Sequence, residues 1–97
     1  MDLYLSTQSF LLVVERGSFA AAANQLGTTS SAISKRVSWL EQHIGATLLK
    51  RTTRSLTLTE TGQLYYQRAQ TRVEEWNSLV DEAGSHNAHA GGVLRVG

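Results

Sequence analysis

Apolar residues in this chain return mostly at steps of three and four, and the interruptions mark its turns. Leu3, Phe10, Val13 and Val14 recur at helical spacing and predict a first helix over Leu3–Glu15, stopped by Gly17. Ser18 reads as the N-cap of a second, short helix over Phe19–Leu26. Ala20, Ala21, Ala22 and Ala23 favour helix and let another helix approach closely, while Gly27 supplies the positive φ of a sharp turn. Thr29 is the expected cap of a third helix reaching His43 or Ile44. On that helix Ile33, Val37, Leu40 and Ile44 make a single apolar stripe. At about 100° per residue, Ser31, Ser34, Lys35 and Ser38 fall opposite the stripe, a low polar face carrying one cation.

After Gly45 the period changes. Leu56 and Leu58 alternate with Ser55 and Thr57, which predicts a β-hairpin with strands near Leu48–Arg51 and Ser55–Leu58 and a tip at Thr52–Arg54. Thr59 is the expected cap of a long fourth helix, with Glu60 in its first turn and Thr57–Glu60 as a competing capping box. That helix is expected to end near Ala83, before Gly84. Tyr66, Ala69, Val73, Trp76, Val80 and Ala83 alternate by three and four along it, a heptad-like seam. About 25 residues of helix span ~37 Å, too long to be covered by three short helices, so part of the seam is expected to meet a second chain. Residues 84–92, GSHNAHAGG, read as a flexible linker. The VLRV that follows reads as a strand opening a further domain.

Composition narrows the picture. The 97 residues suit one domain with an appendage, and 41% hydrophobic content with no proline favours a small, mainly helical core. With no cysteine there is no disulfide framework and no thiol chemistry. The apolar FLLVV run resembles a signal peptide only superficially. Asp2 precedes it, Glu15-Arg16 interrupts it, and it is too short to span a bilayer, so a cytoplasmic protein is expected. Net charge is +1, but five of the nine basic residues (Lys35, Arg36, Lys50, Arg51 and Arg54) fall within residues 35–54, against the single acid Glu41. Such polarity can present a local anion-binding surface.

Three short helices followed by a hairpin have the layout of a mainly α winged helix-turn-helix, the long fourth helix acting as a linker for dimerisation. The expected divisions are residues 1–58, 59–83 and 84–97. Such folds place the helix after the tight turn in the DNA major groove and the wing on a neighbouring backbone or minor groove. The N-terminal amides of the third helix, near Thr29 and Ser30, suit a phosphate. Arg54 at the hairpin tip suits the deep negative potential of a narrow minor groove.

The chain resembles the N-terminal domain of LysR-type transcriptional regulators. The resemblance rests on Phe10, Val13, Glu15, Gly17-Ser18-Phe19, Ala22-Ala23 and Leu26. It continues through Ala32-Ile33-Ser34, Val37, Leu40-Glu41, Ile44-Gly45, Leu48-Leu49, Arg51, Arg54, Leu58-Thr59-Glu60 and Gly62. It implies that Ser30, Ser31, Ser34 and Lys35 face DNA, that Arg54 is the wing arginine, and that Thr29 caps the helix near the backbone. It also implies a second subunit paired along residues 60–83, a pseudo-palindromic operator, and a small-molecule effector bound by a domain beyond this chain. The family often carries glutamine followed by proline or serine where this chain has Ser30-Ser31, and a serine makes one bond where glutamine makes two to adenine. Thr7 stands where leucine is usual, which predicts weaker packing of the first helix.

Ser38 and Lys50 complete the expected DNA-contacting set. Arg51 is open between contacting DNA and bracing the hairpin. Trp39 is expected to cover part of the wing or an intersubunit surface, because duplex bases offer no free face. His86 and His89 lack a third ligand for a metal. No nucleophile–base pair and no phosphate-cradling glycine loop occurs, so no catalysis and no cofactor are expected. The competing reading is a winged-helix protein-interaction module whose basic wing is incidental.

Overall fold

The computed structural model describes residues 2–52 and 54–90, with side chains described as far as His86. Three helices come first: α1 (Leu3–Arg16), α2 (Phe19–Leu26) and α3 (Ser30–Ile44). The strands β1 (Leu49–Arg51) and β2 (Leu56–Leu58) follow, and then α4 (Glu60–Ala90). Each early boundary has a local cause. Asp2, Ser18 and Thr29 cap α1, α2 and α3 by accepting from the backbone N–H groups of Tyr4, Ala21 and Ala32. The turn between α2 and α3 needs Gly27, which sits at φ 65° in the left-handed region.

The core lies where α1, α2 and α3 cross. Phe10, Val13, Ala22, Ile33, Val37, Leu40 and Leu48 are each at most 1% exposed. The small Ala22 and Ala23 bring α2 against the other two helices, and α3 gives Ile33, Val37 and Leu40 to the interior, while Ile44, the last member of the expected stripe, stays exposed because it ends the helix beyond that packing. Thr7 does not leave the weakness expected of it. It is buried, and its Oγ1 lies 2.7 Å from the Tyr65 hydroxyl, a hydrogen bond joining α1 to α4. Phe10 packs beside the same ring and that of Tyr66.

The hairpin is antiparallel, with Leu49, Lys50 and Arg51 opposite Leu58, Thr57 and Leu56. Its root is a hydrogen-bonded knot. The Glu41 carboxylate, near the end of α3, accepts from the N–H groups of Leu48 (2.8 Å) and Leu49 (3.2 Å). The Leu48 carbonyl accepts from the Thr59 N–H at 3.0 Å. Thr59, not Thr57, caps α4: its Oγ1 accepts from the Gly62 N–H at 2.9 Å and donates to the Thr47 carbonyl at 2.6 Å. Both expected strands begin one residue later, because Leu48 bonds to this knot and Ser55 to the tip.

The largest departure is in α4. It continues through Gly84 to Ala90, 31 residues where an end near Ala83 was expected. A glycine stops a helix when it takes positive φ. Among the described residues only Gly17, Gly27 and Gly45 do so, and Gly84 keeps the helical conformation. Its propensity cost is ~1 kcal/mol, and with no proline nearby and alanines at 83, 88 and 90 the run continues. The linker assigned to residues 84–92 is therefore helical as far as Ala90. The expected VLRV strand lies outside the described residues. The helix makes the molecule long, 55 × 25 × 22 Å.

Candidate nucleic-acid interface

Helix α3 has two sides with different duties. Inside, Ile33, Val37 and Leu40 are buried, and the Arg36 guanidinium donates to the buried Ser9 hydroxyl at 3.3 Å, holding α3 to α1. Outside, Ser30, Ser31, Lys35 and Ser38 are exposed and Ser34 is half-buried. None of these five side chains has a hydrogen bond or ion pair with another described residue. Thr29 differs, since its Oγ1 is occupied by the Ala32 N–H at 3.1 Å and it serves the helix start. Gln42, exposed one turn beyond Ser38, shares the outer stripe. Sequence reading passed over it, although its spacing from Ser31, Ser34, Lys35 and Ser38 was the available signal.

Serine is what makes this face low. A helix with side chains is 10–12 Å across, about the ~12 Å width of the B-DNA major groove. Short side chains let the helix backbone approach the base edges, and hydroxyls both donate and accept. Trp39 has a partner within its own helix. It is half-buried against the core and stacks on His43 of the same helix, the rings 4.7 Å apart and 12° from parallel.

The outer wing lies beside the junction of α1 and α2, where Gly17, Ser18 and Phe19 share a shallow hollow with Arg51, Arg54 and Leu56. Its turn is closed by Thr52, whose N–H donates to the Ser55 carbonyl at 2.9 Å and whose Oγ1 accepts from the N–H groups of Arg54 and Ser55. Lys50 and Arg54 are exposed, and their charged groups are unpaired among the described residues. Arg51 is oriented otherwise: its guanidinium carbon lies 4.3 Å from the centroid of the Phe19 ring. Glu41, the one acid in the basic stretch, is turned onto the Leu48 and Leu49 amides. The sequence offered no sign of that use beyond its isolation among cations. The one ion pair among the described residues, Arg72–Glu75, lies on α4.

The seam of α4 divides along its length. Ala69 is buried, Tyr66 and Val73 are half-buried, and all three pack on this chain's own core. Burial raises the Tyr66 phenol above its ordinary pKa, and the nearby Glu15 charge adds to the effect. Beyond Val73 the seam is open: Trp76 and Val80 are each 55% exposed and Ala83 is exposed. An apolar trough lined by Leu3, Tyr4, Ala69, Val73 and Trp76 runs between the start of α1 and this part of α4. It is fixed by a 3.0 Å hydrogen bond from the Tyr4 hydroxyl to the Asn77 side-chain oxygen. Among the described residues there is no group of three or more His, Asp or Glu able to hold a metal ion, and no helix long and apolar enough to cross a membrane.

Comparison with known proteins gives the same outline. A family model described as bacterial regulatory helix-turn-helix protein, lysR family, matches residues 6–63. The chain is 46% identical over 87 residues to the probable HTH-type transcriptional regulator LtrA of Klebsiella pneumoniae, covering 90% of this chain and 28% of LtrA. It is equally similar to the HTH-type transcriptional regulator CrgA of Neisseria meningitidis, covering 90% of this chain and 29% of that protein. The chain thus spans less than a third of these relatives. Among solved structures, the BenM DNA-binding domain in complex with catB site 1 DNA superimposes with a TM-score of 0.80 at 29% identity, over 88% of this chain and 93% of that one. The CbnR DNA-binding domain in its DNA complex gives 0.78 at 28% identity, over 89% and 98%. Matched along most of its folded length by both sequence and three-dimensional shape, the chain belongs to the lysR family of bacterial regulatory helix-turn-helix proteins.

Proposed function

We propose that this chain binds double-stranded DNA in a sequence-specific way, as the DNA-binding part of a bacterial transcription regulator. Helix α3 enters the major groove through Ser30, Ser31, Ser34, Lys35 and Ser38, and Arg54 reaches the minor groove or backbone at the flank, with Lys50 beside it. The observation that carries this reading is the single outer face of α3. It is low, hydroxyl-rich and uncommitted, in a fold that also carries a cationic wing and whose solved neighbours BenM and CbnR were crystallised on DNA. Hydroxyls and one lysine give modest base discrimination and a stronger phosphate contribution.

Two copies pair through the open part of α4, Trp76, Val80 and Ala83, and present two α3 helices to a pseudo-palindromic site. The function is regulatory and not catalytic, exerted in the cytoplasm at the nucleoid. In the full-length protein a small effector binds a further domain and alters the dimer's geometry.

The test is a titration of duplexes selected by the protein from a random-sequence pool, at several salt concentrations. Log affinity should fall steeply and linearly with log salt, with a slope of about −0.9 per neutralised phosphate. A flat slope, or no binding at micromolar protein, would point instead to a protein-interaction module.

A further inference from the structure

The wing is firmly held at its root and more lightly held beyond it. Leu48 and Leu49 are buried, and Glu41 and Thr59 tie the root to α3 and α4. Past that point the hydrogen bonds made by Lys50, Arg51, Thr52, Arg54 and Ser55 stay within the hairpin, among Thr52, Arg54 and Ser55 and across the ladder to Leu56 and Thr57. Among the described residues none of them ties this stretch to a helix. A two-stranded ribbon on its own is marginally stable in water. What crosses from the outer wing to the helical body is the half-buried Leu56 side chain, which packs on the core, and beside it the stack of the Arg51 guanidinium on the Phe19 ring.

Phe19 is well placed to serve as a platform. It is the first residue of α2, directly after the cap Ser18, whose hydroxyl accepts from the Ala21 N–H at 3.0 Å and fixes where the helix begins. The ring is half-buried against the core, so its position is set by the body of the domain. Arg51 ends β1, opposite Leu56, at the point where the strands give way to the turn. Guanidinium is planar and weakly hydrated, which suits it to stack on an aromatic face. Arg54 lies three residues further, at most about 10 Å of chain, so a hinge at Arg51 would displace its guanidinium by more than a hydrogen bond tolerates.

We propose that Phe19 is a positioning residue for DNA recognition: through Arg51 its ring sets the angle of the wing against the helical body, and so aims Arg54. The DNA part of this inference rests on the function proposed above. Phe19 carries no donor and makes no phosphate contact of its own, so its effect on binding is transmitted through Arg51. Position 19 thereby helps to decide where along the duplex the wing lands.

The experiment uses the 97-residue chain with Phe19→Leu, Phe19→Tyr, Arg51→Gln and the Phe19→Leu/Arg51→Gln double variant. Backbone 15N order parameters of the DNA-free protein report the wing directly. Phe19→Leu and Arg51→Gln should each lower them at Thr52, Arg54 and Ser55, the double variant should go no lower, and Phe19→Tyr should match the wild type. On a duplex selected by the wild type, Phe19→Leu should weaken binding about two- to five-fold, the size of an exposed cation–π contact, with the salt slope unchanged. Unaltered order parameters in Phe19→Leu would overturn the inference. So would an equal loss from Phe19→Leu in the Arg51→Gln background, which would mean that the ring acts through core packing. If the wild type binds no duplex, the proposed function fails and the aiming of Arg54 fails with it, while the order parameters still decide whether the ring holds the wing.

Discussion

Arg54 and the α3 serines carry the recognition proposed here, and they differ in what their loss should do. Arg54 is exposed, and its side chain is unpaired among the described residues, so its charge is free for DNA. Arg54→Ala should weaken binding by ~1–3 kcal/mol and make the salt slope shallower by about one, as read by fluorescence anisotropy. An unchanged midpoint would remove Arg54 from the interface. Ser34 is a single hydroxyl on a half-buried position, with less to give. Ser34→Ala should reduce binding to the selected duplex more than to a scrambled one, whereas an equal loss on both would make it a backbone contact. At this scale the serine face could be read from periodicity alone. The use of Glu41, Arg36 and Trp39 could not, because each depends on a partner on another element or on a particular rotamer.

The start of α4 crosses the wing root at close range. Gly62 is buried there, and a Cβ added to it would run into the backbone of Leu48, whose carbonyl already accepts the Thr59 N–H. In an open helix, glycine to alanine is favourable by ~1 kcal/mol. Here the overlap is with backbone that Glu41 and Thr59 hold in place, and overpacking costs ~1–3 kcal/mol or more. Gly62→Ala should therefore lower the denaturation midpoint, reversing the sign that helix propensity gives; a raised midpoint would mean that the junction yields freely. The resemblance to a known family marked Gly62, while the reason for a glycine appeared only when α4 was seen against Leu48. Gly84 is the opposite case. Its surroundings in sequence look like a helix end, yet no packing or capping partner draws it into positive φ, and α4 passes straight through.

For the whole molecule, the decisive feature is a helix that outruns its domain. The 31 residues of α4 extend ~46 Å at 1.5 Å per residue, and beyond Val73 its seam is left exposed. Leu79 joins Trp76 and Val80 there, at 51% exposed. A dimer sealed along this stretch should be broken by a buried charge, so Val80→Asp should yield monomers by light scattering while the helical core, which lies elsewhere, keeps its thermal midpoint. Dimers that persist would place the pairing surface elsewhere. Monomers should also bind DNA more weakly, since two half-sites held by one rigid body gain from effective concentration.

The sequence by itself determined the order of the elements, the glycines that stop the first three helices, the hydroxyl caps that start the second and third, the inward stripe of α3 and the polar face opposite it. These follow from local rules, namely a 3.6-residue period, cap chemistry and the freedom of glycine, and they need no knowledge of distant residues. Tertiary structure alone decided that Tyr66 and Ala69 belong to this chain's own core while Trp76 and Val80 stay open. It also decided that Thr7 satisfies Tyr65, that Glu41 closes the wing root, and that Arg51 rests on Phe19. Each of those is a meeting that no local period or cap rule dictates. A heptad-like seam fixes which residues share one side of a helix, but only the packed neighbours determine where along that side the cover ends.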